Sequence, residues 1–247
     1  MSKIVIIGSL NMDMTVSTPK IPDMGETILG SGFMTSPGGK GANQAVAAAR
    51  LGGDVSMVGC VGDDIFGTDL INNLSKNMVN VEKIKTIKDS PSGVAVIVLK
   101  NGDNFIIVDP GANSAVTPAL IEEAESLIKE CKILMLQLEI PVESVEKAIY
   151  IAKKYNVKVL LNPAPACKIS DELLTRVDIF TPNETECSII TGIPVENEED
   201  AKLAAAYLMK KGIPQIVITL GKRGVVYNSG SIILHKPVPE VDVMDTT

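Results

Sequence analysis

Short apolar runs alternate with longer stretches of helical periodicity along most of this sequence, and that alternation restricts the chain to a fold built from βαβ units. Strands are expected at residues 4–7, 55–58, 133–138, 157–161, 179–181 and 216–220, and helices at 42–51, 66–76, 119–129, 142–155, 185–191 and 199–211. Thr117-Pro118 gives one helix a cap and a first-turn proline, and Ser170-Asp171-Glu172 opens another in the same way. The sum is an α/β fold: a three-layer, doubly wound, mostly parallel sheet. Two stretches break the rhythm. Residues 13–36 and 93–108 read as strands without intervening helices, the second as a hairpin turning at Asn101-Gly102. They are assigned to a small β-sheet lid, and residues 1–12, 37–92 and 109–247 to the α/β domain.

Composition agrees. In 247 residues, 45% hydrophobic content with 3% aromatics and no Trp calls for a core of Ile, Val, Leu, Ala and Met, as parallel sheets flanked by helices use. A net charge of −7 disfavours nucleic acid and anionic membrane as partners. Cys60, Cys131, Cys167 and Cys187 lie far apart with no C-x-x-C pair, so they read as free thiols in a reducing compartment. Residues 4–7 are too short an apolar run for a signal segment or a membrane span. A soluble, cytoplasmic protein is expected.

Ligands of open α/β sheets sit beyond the carboxyl ends of the strands, so polar residues after apolar runs are the candidates. Gly8-Ser9-Leu10-Asn11-Met12-Asp13 follows the first run and fails the dinucleotide fingerprint at Leu10 and Asp13. Asn11 and Asp13 suit adjacent hydroxyls of a polyol; they also suit a simple turn. Pro37-Gly38-Gly39-Lys40-Gly41-Ala42-Asn43-Gln44 runs into an Ala-rich helix without matching a P-loop, and its glycines, lysine and helix start suit an anion. Glu139 places a carboxylate after another apolar run. Asn183 and Glu186 have the spacing of a capping box. His235 stands alone and is given no role.

The Gly38–Ala45 run, followed by Leu51-Gly52 and Val61-Gly62-Asp63-Asp64-Ile65-Phe66-Gly67, resembles the first signature of the PfkB family of carbohydrate kinases. Asn11-Met12-Asp13, Met135–Glu139, Asn162-Pro163-Ala164-Pro165, Thr181–Glu186 and Thr219-Leu220-Gly221-Lys222-Arg223-Gly224 are similar to its ribokinase-type members. The resemblance implies a ribokinase-like fold and transfer of the γ-phosphoryl group of ATP to the 5-hydroxyl of D-ribose. It puts the sugar on Asn11, Asp13, Gly39, Lys40, Asn43 and Glu139, with Ala95 contributing from the lid. It puts the nucleotide on Asn183, Thr219, Gly221, Lys222, Arg223 and Gly224, with Glu186 organising Mg²⁺ through water; Lys222 and Arg223 serve equally as surface charges. The lid would exclude water from the phosphoryl donor, and its edges would join two copies as a homodimer.

One signature is incomplete. The family's second motif runs D-T-T-G-A-G-D, and this sequence reads Asp245-Thr246-Thr247. Asp245 and Thr247 resemble part of a monovalent-cation site, which implies K⁺. The catalytic base and anion-hole amides are expected beyond Thr247. General-base assistance typically supplies about 10² to 10⁴-fold, so the sequence as it stands is expected to be nearly inactive and, with apolar surface exposed, prone to aggregate. Another sugar kinase of the family, or a noncatalytic sugar-binding module, is the alternative reading.

Overall fold

The computed structural model describes residues 3–100, 103–167 and 169–239, which leaves the turn expected at Asn101-Gly102 and the candidates Asp245 and Thr247 outside the described residues. The chain divides into two compact units, Met1–Val157 and Lys158–Thr247.

The first unit opens with β1 (Lys3–Ile7), β2 (Asn11–Ser17), β3 (Ser31–Gly38), α1 (Lys40–Arg50), β4 (Asp54–Gly62), α2 (Ile65–Lys76) and β5 (Asn80–Ile87). It continues through β6 (Gly93–Lys100), β7 (Asp103–Asp109), the 3-10 turn Gly111–Ala115, α3 (Pro118–Glu123), α4 (Glu125–Glu130), β8 (Ile133–Leu136) and α5 (Val142–Lys154). Strands β8, β1, β4 and β5 lie side by side, all parallel. Side chains alternate across a strand, so burial on both faces requires cover on both. Ile6 packs with Ala45, Ala49, Leu70 and Leu74 of α1 and α2 on one face. Val5 and Ile7 are just as buried on the other, where α4 lies against β1 and α5. That is the layering expected of a doubly wound sheet.

A separate four-stranded sheet, in the order β3-β2-β6-β7, comes from the two stretches that lacked helical pattern. Its central pair is parallel and the outer pairs antiparallel. Every residue of β7 is exposed, including Phe105, Ile106, Ile107 and Val108.

The second unit contains β9 (Lys158–Leu161), α6 (Asp171–Leu174), β10 (Ile179–Phe180), α7 (Glu184–Thr191), α8 (Glu198–Lys210), β11 (Gln215–Thr219), β12 (Val225–Ser229) and β13 (Ile232–Lys236). Here β9, β10 and β11 are parallel, and β12 and β13 close the edge as an antiparallel hairpin with α8 packed beneath.

Four details depart from expectation. The helix expected at 119–129 is two, interrupted at Ala124, whose ψ of 4° leaves the helical range. The strand expected at 133–138 stops at Leu136, which frees Gln137 to Glu139 for the site. Strand β5 escaped notice because Val81, Ile84 and Ile87 recur every third residue; the register shift opposite Ser56 and Val58 breaks the alternation that normally marks a strand. The β12–β13 hairpin was missed as well, although Gly230 sits at its turn with φ of 60°. No described helix is long and apolar enough to cross a membrane.

Candidate functional site

In the first unit, four separate stretches meet at the amino terminus of α1. Gly39 is the helix N-cap and offers no side chain, so the cap must come from elsewhere. It comes from Glu139. Its Oε2 accepts a hydrogen bond from the Lys40 backbone N–H at 3.1 Å and from the Ser9 hydroxyl at 2.5 Å. Ser9 Oγ in turn accepts from the Gly41 N–H at 3.4 Å, Ser9 O from the Ala42 N–H at 3.0 Å, and Gly39 O from the Asn43 N–H at 2.8 Å. All four leading amides of α1 are thereby satisfied within the protein. The Gly-rich turn is therefore not the open anion cradle that its sequence suggests: a carboxylate of the chain already occupies the positive end of the helix.

The glycines serve close approach. Gly39 has φ of 93°, and a Cβ there would lie 2.7 Å from the Asn11 nitrogen. A Cβ on Gly41 would lie 2.7 Å from the Gly8 carbonyl carbon, so α1 begins in contact with the end of β1. A Cβ on Gly38 would strike the Asp13 carboxylate, which places Asp13 directly over the turn.

Asp13 is half-buried with Glu139 and Lys40 as its charged neighbours. Burial first, then the Glu139 carboxylate, pushes its pKa up from 3.8 to about 6, against the opposing pull of Lys40. Lys40 Nζ stands 3.9 Å from Glu139 Oε1, a loose pair that leaves the ammonium reaching outward. Asn11 is buried and Asn43 is exposed on the first turn of α1. Ala95 is buried on β6 and pairs with Asp13 in register, so its small side chain borders the same place. Each residue expected to hold the sugar thus lies around one helix start.

Three neighbours were not foreseen. Ser9 is fully buried beneath Glu139. Gln137 donates from Nε2 to Gln44 Oε1 at 2.6 Å, and its own Oε1 is buried with no hydrogen-bond partner. Asn113, in the 3-10 turn after β7, reaches back to residues 10 and 11. Gly111 and Asn113 directly after a strand signal a turn, but nothing local in the sequence signals that Asn113 faces inward.

In the second unit, Asn183 and Glu186 form a complete capping box. Asn183 Oδ1 accepts from the Glu186 N–H at 2.8 Å, and Glu186 Oε2 from the Asn183 N–H at 2.9 Å. Asn183 is exposed, Glu186 is buried, and Asn183 forms a parallel bridge with Thr219. The following turn, Gly221–Arg223, is exposed. Gly224 is required by packing more than by any ligand, because a Cβ there would lie 2.1 Å from Lys236 O. Arg223 is committed to the protein: its guanidinium pairs with Glu184 and donates to the Glu196 carbonyl. Lys222 is exposed and makes no ion pair among the described residues. His235 has partners after all, Glu198 Oε2 at 3.0 Å and the Arg223 carbonyl at 2.7 Å. No cluster of three or more ligating side chains exists among the described residues.

Burial pushes the thiols of Cys60 and Cys131 up to about 11 and that of Cys187 to about 12, so these cysteines stay protonated and inert.

Comparison with known proteins fixes the family. A ribokinase of Haemophilus influenzae is 44% identical over 223 residues, covering 90% of this chain and 73% of its own length. A deoxyribokinase of Salmonella typhi is 39% identical over 246 residues, covering 99% and 80%. The solved structure of Arabidopsis thaliana ribokinase complexed with ribose and ATP superposes with a TM-score of 0.91 at 33% identity, covering all of this chain and 81% of that one. The pfkB family carbohydrate kinase pattern matches residues 1–247, and the chain belongs to that family.

Proposed function

We propose that this protein phosphorylates D-ribose at its 5-hydroxyl with ATP, as a ribokinase. The observation that carries the reading is the convergence of Asn11, Asp13, Lys40 and Glu139 at one helix start, which sets two carboxylates, an amide and an ammonium around a space bordered by Ala95. A polyol presents donors and acceptors on adjacent carbons, and this set answers both. Asp13 and Glu139 accept from hydroxyls; Asn11 and Lys40 donate. Gly39 and Asn43 complete the sugar's surroundings.

The nucleotide is assigned to Asn183, Thr219 and the turn Gly221 to Gly224. The exposed backbone of that turn and the mobile charge of Lys222 suit phosphate oxygens. Arg223 enters as the strut that holds the turn against α7. Magnesium would be carried on the nucleotide phosphates as a hydrated ion that keeps several waters, with the Glu186 carboxylate holding it through water rather than as part of a protein cage. When bound it would neutralise phosphate charge. A K⁺ requirement belongs to the same reading through Asp245 and Thr247, and exchange of K⁺ for Na⁺ should lower turnover. In this reading residues 13–36 and 93–108 form the lid and residues 1–12, 37–92 and 109–247 the α/β domain, and the exposed β7 edge of the lid joins two copies as a homodimer. Localisation is cytoplasmic in this reading.

The test is calorimetric titration with ribose, 2-deoxyribose, fructose and adenosine, run beside coupled ADP release for each in a form that carries the family's whole second motif. Ribose should bind and be turned over preferentially. The second reading, phosphorylation of 2-deoxyribose, is favoured by the 39% identical Salmonella relative and wins if the 2-deoxy sugar has the higher kcat/KM. Tight binding of neither pentose defeats both.

A further inference from the structure

Asn113 directs three side-chain hydrogen bonds at residues 10 and 11. It is 1% exposed, and its Oδ1 accepts from the Leu10 N–H at 2.9 Å. Its Nδ2 donates to Leu10 O at 3.1 Å and to Asn11 Oδ1 at 2.8 Å. The logic of these bonds is one-directional. A backbone N–H can only donate, so the atom of Asn113 facing it must be the oxygen. The nitrogen then faces Asn11, and the atom that Asn11 turns toward it must be an acceptor. The Asn11 amide is therefore locked with Oδ1 inward and Nδ2 outward, and Nδ2 makes no hydrogen bond among the described residues.

Space enforces the same arrangement. Asn11 pairs in register with Gly93, and a Cβ on Gly93 would come within 2.3 Å of both Asn11 Oδ1 and Asn113 Nδ2. Any side chain there would separate the two amides. Asn113 is held in turn by the 3-10 turn, whose Ala112 N–H donates to Pro91 O at 2.8 Å.

We propose that Asn113 is a positioning residue for sugar recognition: it fixes the Asn11 amide so that residue 11 offers the ligand a donor and never an acceptor. The assignment rests on the reading of Asn11 as a sugar contact. It goes further by stating which polar atom meets the sugar and what decides it. With Asp13 as the neighbouring acceptor, the pocket then asks for one hydroxyl that accepts beside one that donates.

The experiment is a double-mutant cycle on sugar affinity, measured by calorimetry in the protein and in Asn113→Asp, Asn11→Ala and the double variant. Asp at 113 still accepts from the Leu10 N–H, but it sets an acceptor against both Leu10 O and Asn11 Oδ1; the Asn11 amide can turn over to meet it, whereas the loss at Leu10 O is common to both backgrounds and cancels in the cycle. Ribose affinity should fall about tenfold, as for one misdirected hydrogen bond, and the same change should cost clearly less once Asn11 is Ala. Equal losses in both backgrounds overturn the proposal. Should Asn113→Asp fail to fold, the side-chain amide resonances of the unaltered protein decide: saturating ribose should shift the Asn11 NH₂ pair and leave the Asn113 pair in place. An Asn11 NH₂ that ignores bound ribose overturns the proposal. If ribose and 2-deoxyribose both fail to bind, the sugar reading falls on its own, and amide-to-carbonyl couplings from the Asn113 NH₂ to Asn11 Oδ1 still test the lock.

Discussion

Asp13 holds its proton more tightly in the folded protein than in the unfolded chain, and the sign of that difference has two consequences. A carboxyl raised from 3.8 to about 6 adds stability below 3.8 and loses that contribution as the pH rises through about 6. At neutral pH the ionised group is a cost to the empty protein. Asp13→Asn should therefore raise the melting temperature at pH 7.5 more than at pH 5, as scanning calorimetry would register. Sugar binding runs the other way. If ionised Asp13 is an acceptor, ribose affinity should weaken as pH drops through about 6 in the parent and stay level in Asp13→Asn. Gly39 offers a second test. At φ of 93°, with the Asn11 nitrogen 2.7 Å from any Cβ, Gly39→Ala should cost about 1–3 kcal/mol in urea unfolding, with sugar affinity lost alongside. The Gly-rich turn could be located from sequence, but not its purpose. Nothing in residues 37–44 says that a carboxylate 99 positions further on fills the helix end.

At the scale of elements, the capping box separates structure from chemistry. Asn183→Ala removes the side-chain acceptor of α7 and should destabilise the second unit by about 1 kcal/mol. Glu186→Gln retains an oxygen for the Asn183 N–H while deleting the charge. It should melt within a few degrees of the parent, and if Glu186 organises magnesium, ADP production should fall at least about tenfold. A variant that melts early and loses activity in proportion would make Glu186 a cap alone. The helices and buried parallel strands were legible because their apolar periods are undisturbed. What was not legible has local causes. The bulge in β5, opposite Ser56 and Val58, gives a strand the spacing of a helix, and the break at Ala124 carries no proline or glycine to announce it. The β12–β13 hairpin alternates weakly in sequence because β13 is exposed on one face and only half-buried against α8 on the other.

On the scale of the molecule, the four-stranded sheet raises the question of what covers it. Phe105 is 54% and Ile107 70% exposed on an edge strand, with Phe33 67% exposed on the opposite edge. Contiguous apolar surface on an unpaired strand favours association. Sedimentation velocity should find a dimer, and Ile107→Glu should return it to a monomer that keeps its secondary structure by circular dichroism; a parent that sediments as a monomer removes the lid interface from the reading. The internal cap of α1 bears on how the chain comes into being. Its first turn has no nearby side chain to close it and waits for Glu139, so on the ribosome the Gly-rich segment emerges long before the residue that completes it. The recognition pocket is then incomplete until Glu139 joins it, and a nascent chain arrested short of Glu139 should carry α1 with a frayed start and no affinity for the sugar.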